Sequence, residues 1–140
     1  MSHFLSNPSF LKKVTKILII EDNNDIREIL CEILTDEGFK VDSVKNGQQA
    51  LDYLEKHPDC APDLIFLDLM MPVMTGYQFL DSLDLNYQEF NIPIIILSAE
   101  MDVPLNNLVV ANLSKPVDIK EFLHHAIKFS NIKEDICSLI

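Results

Sequence analysis

The sequence predicts an α/β fold in which helices cover both faces of a doubly wound, five-stranded parallel sheet. Short strand-like runs alternate with segments of helical period between residue 15 and about residue 130, and such alternation requires right-handed crossovers between parallel strands. The runs at 17–20, 64–67 and 92–97 are apolar throughout, which is typical of strands that are buried on both faces.

The first helix follows a strand at 16–21 and is marked at both ends. Asp25 and Glu28 have the spacing of a capping box, with Asp25 as the predicted N-cap and Glu28 as its partner. Apolar residues then recur at helical spacing, and Gly38 is expected to end the helix. Residues 39–44 alternate between apolar and polar side chains, which predicts a strand at the edge of the sheet.

Three further helices and a fifth strand are expected. Residues 46–56 have the period of a second helix, and the run at 108–113 predicts the fifth strand. Residues 75–78 (Thr-Gly-Tyr-Gln) and 118–121 (Asp-Ile-Lys-Glu) have capping-box spacing at the starts of the third and last helices. The last helix is predicted to point five apolar side chains inward, namely Ile119, Phe122, Leu123, Ala126 and Ile127.

Length, charge and cysteine content limit the class of protein. At 140 residues the chain is expected to form one folded domain at 15–130, with a flexible leader at 1–14 and a tail or extension of the last helix at 131–140. The net charge of -11 repels nucleic acid and anionic membranes. Three cysteines without a close pair, no run of transmembrane length and no signal peptide predict a reduced, cytoplasmic protein.

Four of the predicted strands are followed by polar residues that form one chemical set. These residues are Glu21 and Asp22, Asp68, Ser98 and Lys115. The carboxyl ends of parallel strands lie at one edge of the sheet, where ligands bind in open α/β folds. There an aspartate can attack phosphorus, acidic neighbours can carry Mg²⁺, and a hydroxyl and a lysine can hold a phosphoryl group. Each residue alone is more often a turn or surface residue, so the joint placement carries the prediction.

Longer segments around these residues resemble the receiver domain of two-component response regulators. The similar segments are 17–22, 63–76, 92–99 and 114–116. The resemblance covers about residues 15–130 and implies a CheY-like, flavodoxin-like fold with a phosphoacceptor function in a phosphorelay. It implies that Asp68 accepts a phosphoryl group from the phosphohistidine of a histidine kinase or phosphotransfer protein.

The resemblance also implies one set of ligands for magnesium and another for the phosphoryl group. The Mg²⁺ ligands would be Glu21, Asp22, Asp68 and the backbone carbonyl of Met70. The phosphoryl group would be bound by Ser98, Lys115 and the amide of Ala99. The peptide bond between Lys115 and Pro116 would be cis.

Two features depart from the receiver pattern. Only sixteen residues separate Ser98 from Lys115, and Pro104 lies among them, so the helix that usually precedes the fifth strand is expected to be shortened or lost. Asn112 takes the position, three residues before the lysine, where receivers commonly have tyrosine or phenylalanine. A switch that uses a buried aromatic side chain is therefore not expected at that position.

The leading hypothesis is a stand-alone receiver that signals by conformational change or by passing its phosphoryl group to an unknown output partner. Such a protein is not a turnover enzyme, and a monomer or weak dimer is expected. The alternative is a receiver-fold interaction module that acts without phosphorylation, which Asn112 and the shortened helix favour. A phosphohydrolase is disfavoured because Met70 stands where such enzymes usually have a general acid. A flavin- or cobalamin-binding domain would need a phosphate-binding loop or a ligand histidine after a strand, and the sequence has neither.

Overall fold

The computed structural model describes residues 14–56, 59–86, 91–99 and 107–138. This part of the chain contains five strands and four helices, in the order β1 (Lys16–Ile20), α1 (Asn24–Asp36), β2 (Lys40–Val44), α2 (Gly47–Lys56), β3 (Leu64–Asp68), α3 (Gly76–Asn86), β4 (Ile94–Ser98), β5 (Val109–Ser114) and α4 (Ile119–Ser138). The strands form one sheet in the order β2-β1-β3-β4-β5, and every neighbouring pair is parallel. The predicted doubly wound parallel sheet, with an edge strand at β2, is confirmed.

Each face of the sheet has its own hydrophobic core because successive side chains of a strand point to opposite faces. On one face, residues such as Leu18 and Ile65 pack against α2 and α3. On the other face, Ile17 and Phe66 pack against α1 and α4, where the ring centroids of Phe66 and Phe122 lie 4.5 Å apart. Burial of each such side chain stabilises the fold by about 1.5–3 kcal/mol. This two-sided burial explains why the central strands show no polar alternation.

The start of α1 corrects one prediction. The N-cap is Asn23 and not Asp25: the Asn23 backbone is extended, and its Oδ1 accepts a hydrogen bond from the Ile26 amide at 3.0 Å. Asp25 lies inside the first turn, where its charge favours the positive end of the helix dipole. Both residue types cap helices well, so the backbone turn at Asn23 decides between them. Gly38, with φ of 95°, follows the helix as predicted, because glycine tolerates left-handed backbone.

The predicted caps of the third and last helices are supported by hydrogen bonds. The Thr75 amide donates to Gln78 Oε1 at 2.9 Å, and the Gln78 amide donates to Thr75 Oγ1 at 3.2 Å. At the start of α4, Asp118 Oδ1 accepts a hydrogen bond from the Glu121 amide at 3.1 Å. These bonds satisfy amide groups that have no partner within the first turn of a helix.

The inward face of α4 is narrower than predicted. Phe122 and Ala126 are buried and Leu123 is partly buried against the same core. Ile119 and Ile127 are 51% and 44% exposed, so the prediction that they face inward is wrong. Ile119 lies in the first turn, where it lines a groove against α1. Ile127 lies on the flank of the helix, about 100° around the axis from the middle of the buried stripe.

The edge strand β5 is irregular. Ile94 and Ile95 of β4 pair with Val109 and Ala111, which leaves Val110 as an extra residue in the ladder. An extra residue of this kind bends a strand and disrupts pairing at a sheet edge. Asn112 is exposed on this strand.

Two predictions concern residues outside the part of the chain that the structure describes. The shortened or lost helix before β5 falls on residues 100–106, and the flexible leader falls largely on residues 1–13.

The last helix continues to Ser138. None of the helices in the described ranges combines the length and the apolar character that a bilayer span needs.

Candidate functional site

Three acidic side chains meet where β1 and β3 end. Glu21 and Asp22 follow β1 directly, and Asp68 is the last residue of β3. One carboxylate oxygen from each residue lies within 4.8 Å of the other two, because the two strands are neighbours in the sheet. The sheet therefore brings together the three acids that the sequence places at strand ends.

Lys115 joins the acidic cluster from the segment after β5. Its backbone amide donates to the Ser98 carbonyl at 3.0 Å, and its Nζ lies 2.8 Å from Glu21 Oε1 and 3.4 Å from Asp68 Oδ2. Glu21 is fully buried, and its second oxygen, Oε2, has no hydrogen-bond partner among the described residues. A buried carboxylate oxygen without a partner is costly, and an oxygen of this type is a ligand for hard cations.

The charges of the cluster are unbalanced. Burial, followed by the neighbouring Glu21 carboxylate, raises the pKa of Asp68 from 3.8 to about 6. Burial and the Asp68 carboxylate also raise the pKa of Asp22. Burial lowers the pKa of Lys115, but its ion pairs with Glu21 and Asp68 outweigh burial, and this pKa is raised. Three carboxylates thus face one ammonium group, and a bound divalent cation would balance them.

The remaining predicted residues lie at the same end of the sheet as Asp68. Ser98 is buried at the end of β4, one residue beyond Leu97, which pairs with Asp68 across the sheet. Ala99 follows and is exposed. The Met70 amide donates to Asp68 Oδ1 at 3.1 Å. The peptide bond between Lys115 and Pro116 is cis, as the family resemblance implies, and all of the predicted site residues lie at one end of the sheet.

The loop that follows Asp68 is held tightly against its strand. The Gly76 amide donates to the Leu69 carbonyl at 3.0 Å. A Cβ atom at Gly76 would lie 2.6 Å from the Asp68 carbonyl oxygen, so this close approach requires glycine. Val73 has φ of 68°, which is rare for a β-branched residue and costs on the order of 1–3 kcal/mol. The loop therefore holds a strained backbone beside the acidic cluster.

Sequence reasoning alone does not find the contact that Arg27 makes with the site. Its Nη1 donates to the Glu21 carbonyl oxygen at 3.0 Å, and its Nη2 donates to Asn24 Oδ1 at 2.6 Å. Because every residue has a backbone carbonyl, a hydrogen bond to one is not marked by any spacing of residue types in the sequence. The one available signal is that Arg27, the only arginine of the chain, lies near the N-terminus of α1, where the helix dipole disfavours a positive charge.

The arrangement is suited to phosphoryl transfer. Asp68 offers a carboxylate nucleophile, and transfer of a phosphoryl group depends largely on positioning and on stabilisation of negative charge. Lys115 and a cation held by the acids would supply that stabilisation. The buried Ser98 ends the neighbouring strand β4 at the same edge of the sheet.

Comparison with protein families and curated proteins gives a consistent result. Residues 17–128 match the model of the response regulator receiver domain. The chain is 30% identical over 123 residues to sporulation initiation phosphotransferase F of Bacillus subtilis, covering 86% of this chain and 97% of that protein. It is 38% identical over 84 residues to response regulator Rre1 of Synechocystis, covering 59% of this chain and 35% of that protein. The chain thus spans nearly all of one relative and about a third of the other.

Solved structures give the same fold. A CheY-like response regulator receiver domain from Methanospirillum hungatei superposes with a TM-score of 0.75 at 26% identity, covering 86% of this chain and 98% of that chain. The chemotaxis response regulator CheY4 of Vibrio cholerae superposes with a TM-score of 0.69 at 26% identity, covering 84% and 99%. The range matched by the family model, 17–128, includes all residues of the acidic cluster.

The raised pKa of Asp68 predicts a stability effect that depends on pH. The folded-state pKa of Asp68, about 6, exceeds its ordinary value of 3.8. Ionisation of Asp68 therefore costs folding free energy that grows as the pH rises from 3.8 to about 6 and is absent below pH 3.8. Asp68→Asn should therefore stabilise the protein at pH 7.5 in EDTA, by on the order of 2 kcal/mol relative to its effect at pH 3.5. Urea denaturation at both pH values measures this difference. Asp52→Asn, at an exposed position of α2, is the matched control, and an equal effect of Asp68→Asn at both pH values would contradict the prediction.

Proposed function

Because the chain belongs to the response regulator receiver domain family, we propose that Asp68 accepts a phosphoryl group from the phosphohistidine of a histidine kinase or phosphotransfer protein. The observation that carries this proposal is the position of Asp68 within 4.8 Å of two further acids and 3.4 Å from the Lys115 ammonium. A carboxylate in this setting has both a cation-binding neighbourhood and a positive charge for the incoming group.

Mg²⁺ is the cation that we propose for the acidic cluster. Its ligands would be Glu21, Asp22, Asp68 and the backbone carbonyl of Met70. The donor set supports this assignment, because carboxylate and carbonyl oxygens are the protein ligands that Mg²⁺ prefers and because Glu21 Oε2 is buried without a partner among the described residues. When bound, Mg²⁺ neutralises charge on phosphoryl oxygens.

The side chains of this protein would divide the remaining work. A carboxylate oxygen of Asp68 forms the new bond to phosphorus while the bond from phosphorus to the histidine nitrogen breaks, and the imidazole leaves. The Lys115 ammonium, shared at present between Glu21 and Asp68, turns to the transferred phosphoryl group. The Ser98 hydroxyl and the Ala99 amide donate hydrogen bonds to its oxygens. The product is a modified protein, and no turnover of a free substrate is required.

An apolar groove beside the acidic cluster supports a docking site for the phosphodonor. The groove, about 210 Å³ in volume, lies between α1 and the segment that leads into α4, and Lys115 lines one part of it. Its lining includes Ile29, which is 53% exposed, and Ile119, which is 51% exposed. A phosphohistidine can reach Asp68 only if its protein covers the surface around the cluster. The groove would receive an apolar face of that donor protein.

One observation favours the alternative of an interaction module that acts without phosphorylation. Asn112 is exposed on the irregular edge strand β5 and replaces the aromatic residue that receivers commonly use to transmit activation. The complete set of acids, with Ser98 and Lys115, favours the phosphoacceptor. Four expectations remain predictions: the bounds of the receiver domain at 15–130, a cytoplasmic location, a monomeric or weakly dimeric state, and an output partner that is unknown.

Phosphorylation of Asp68 is tested by intact mass after incubation with acetyl phosphate. We expect one phosphoryl adduct that requires Mg²⁺ and disappears in Asp68→Asn. Asp63→Asn, which changes an aspartate at the opposite end of β3, is the matched control and should be labelled like the wild type. Absence of an adduct under conditions that label a known receiver would support the alternative module, and labelling of Asp68→Asn would place the acceptor elsewhere.

The docking groove is tested by comparing a protein donor with a small one. Ile29→Ser should slow transfer from an autophosphorylated histidine kinase by about tenfold, as expected for loss of a buried apolar contact, and should leave labelling by acetyl phosphate unchanged. The kinase is chosen by screening for the fastest transfer to the wild-type chain. Ile127→Ser is the control, since Ile127 is exposed on α4 and does not line the groove. Equal transfer rates for the two variants would exclude the groove as the docking site.

A further inference from the structure

Arg27 closes the loop that joins β1 to α1. Its guanidinium donates from Nη1 to the Glu21 carbonyl oxygen at 3.0 Å and from Nη2 to Asn24 Oδ1 at 2.6 Å. Its own backbone amide donates to the Asn23 carbonyl at 2.9 Å. The side chain therefore connects the first residue of the loop to the first turn of the helix after it.

The Glu21 carbonyl is a sensitive point of the acidic cluster. It belongs to the planar peptide unit that joins Glu21 to Asp22, so rotation of this unit moves both acids relative to Asp68. The Glu21 amide is held by the Val44 carbonyl of β2 at 3.1 Å. Arg27 holds the carbonyl of the same residue, Glu21. The Asp22 side chain is exposed, so its position depends on the backbone to which it is attached.

We propose that Arg27 is a positioning residue that fixes the peptide unit between Glu21 and Asp22 and thereby sets the affinity of the acidic cluster for a divalent cation. It contacts neither the cation nor the phosphoryl group. The inference rests on the proposed function, because the cation site is the one assigned there. Outer partners that orient metal ligands commonly change metal affinity by about 10–100-fold when they are removed.

Helix stability does not account for arginine at this position. Arg27 is the fourth residue of α1, close to the helix N-terminus, where a positive charge is unfavourable. Lysine could supply the same charge, but only the planar guanidinium offers two donors at a fixed angle. The geometry of two acceptors, a backbone carbonyl on one side and Asn24 Oδ1 on the other, matches that fork.

The charge of Arg27 and its positioning role predict opposite changes in cation affinity. If the guanidinium acted on the cluster only as a nearby positive charge, its removal would make the site more negative and would tighten Mg²⁺ binding. If it positions the peptide unit, its removal lets Asp22 move and weakens Mg²⁺ binding. The sign of the change therefore separates the two roles.

The experiment is a calorimetric titration of the full chain with Mg²⁺ for the wild type, Arg27→Gln and Arg27→Lys. We expect Arg27→Gln to raise the Kd for Mg²⁺ by about tenfold. Arg27→Lys, which keeps the charge and loses the fork, should raise it by a smaller factor. Labelling by acetyl phosphate should need a higher Mg²⁺ concentration in Arg27→Gln than in the wild type, with the half-maximal concentration raised by the same factor as the Kd.

Each of the following results would overturn the proposal and would show which part of it fails. An unchanged or lower Kd in both variants would reject the positioning role, even if urea denaturation showed a loss of stability. A wild type that binds no Mg²⁺ would reject the cation site and this inference together. Loss of Mg²⁺ binding in Asp22→Asn, with Arg27→Gln unaffected, would leave the proposed function intact and reject Arg27 alone. If Arg27→Gln fails to fold, Arg27→Lys decides the question by the same measurement.

Discussion

The ion pair between the Lys115 ammonium and the buried Glu21 carboxylate is the interaction on which the site depends. It joins the segment after β5 to the end of β1, two strands that are separated in the sheet by β3 and β4. Removing a carboxylate from water is expensive, and one lysine leaves Glu21 Oε2 without a partner among the described residues. The fold tolerates this cost because the hydrophobic cores on both faces of the sheet hold the strand ends in place.

Parallel strands and close backbone packing deliver the reactive groups to one edge of the sheet. Asp68 ends the central strand β3, and its neighbours β1 and β4 supply the adjacent acids and Ser98. The loop after Asp68 returns so tightly that only glycine fits at position 76, and Val73 accepts an unfavourable backbone angle in the same loop. The backbone around Asp68 is thus held in place by its own packing, and a fixed backbone is the condition under which positioning and electrostatics can promote the phosphoryl transfer proposed for Asp68.

Features that depend on hydrophobic periodicity could be predicted from the sequence. The apolar strands, the edge position of β2 and the meeting of Glu21, Asp22 and Asp68 all follow from burial on two faces and from the common direction of the strands. Thr75 was predictable as a cap because its partner Gln78 stands at the right spacing. Features that depend on the path of the backbone could not be predicted in this way.

The errors share a physical origin. Asn23 and Asp25 are both good caps, and only the direction of the chain after β1 selects Asn23. Ile119 stands at the helical spacing of a core residue, but the first turn of α4, where it lies, faces a groove between α1 and the start of α4. Arg27 binds a main-chain carbonyl, which every residue possesses, so no pattern of side chains marks the contact. The extra residue Val110 in β5 has no sequence signal either, because strand pairing also uses main-chain groups that every residue possesses.

Chemical mapping of the modified residue determines whether the acidic cluster directs a phosphoryl group to Asp68. Borohydride reduces an aspartyl phosphate to homoserine, and peptide mass spectrometry then reads the position of the change. After phosphorylation in Mg²⁺, we expect homoserine at position 68 and unchanged aspartate at position 22. Homoserine at another position, or a phosphoryl adduct that borohydride does not reduce, would contradict it.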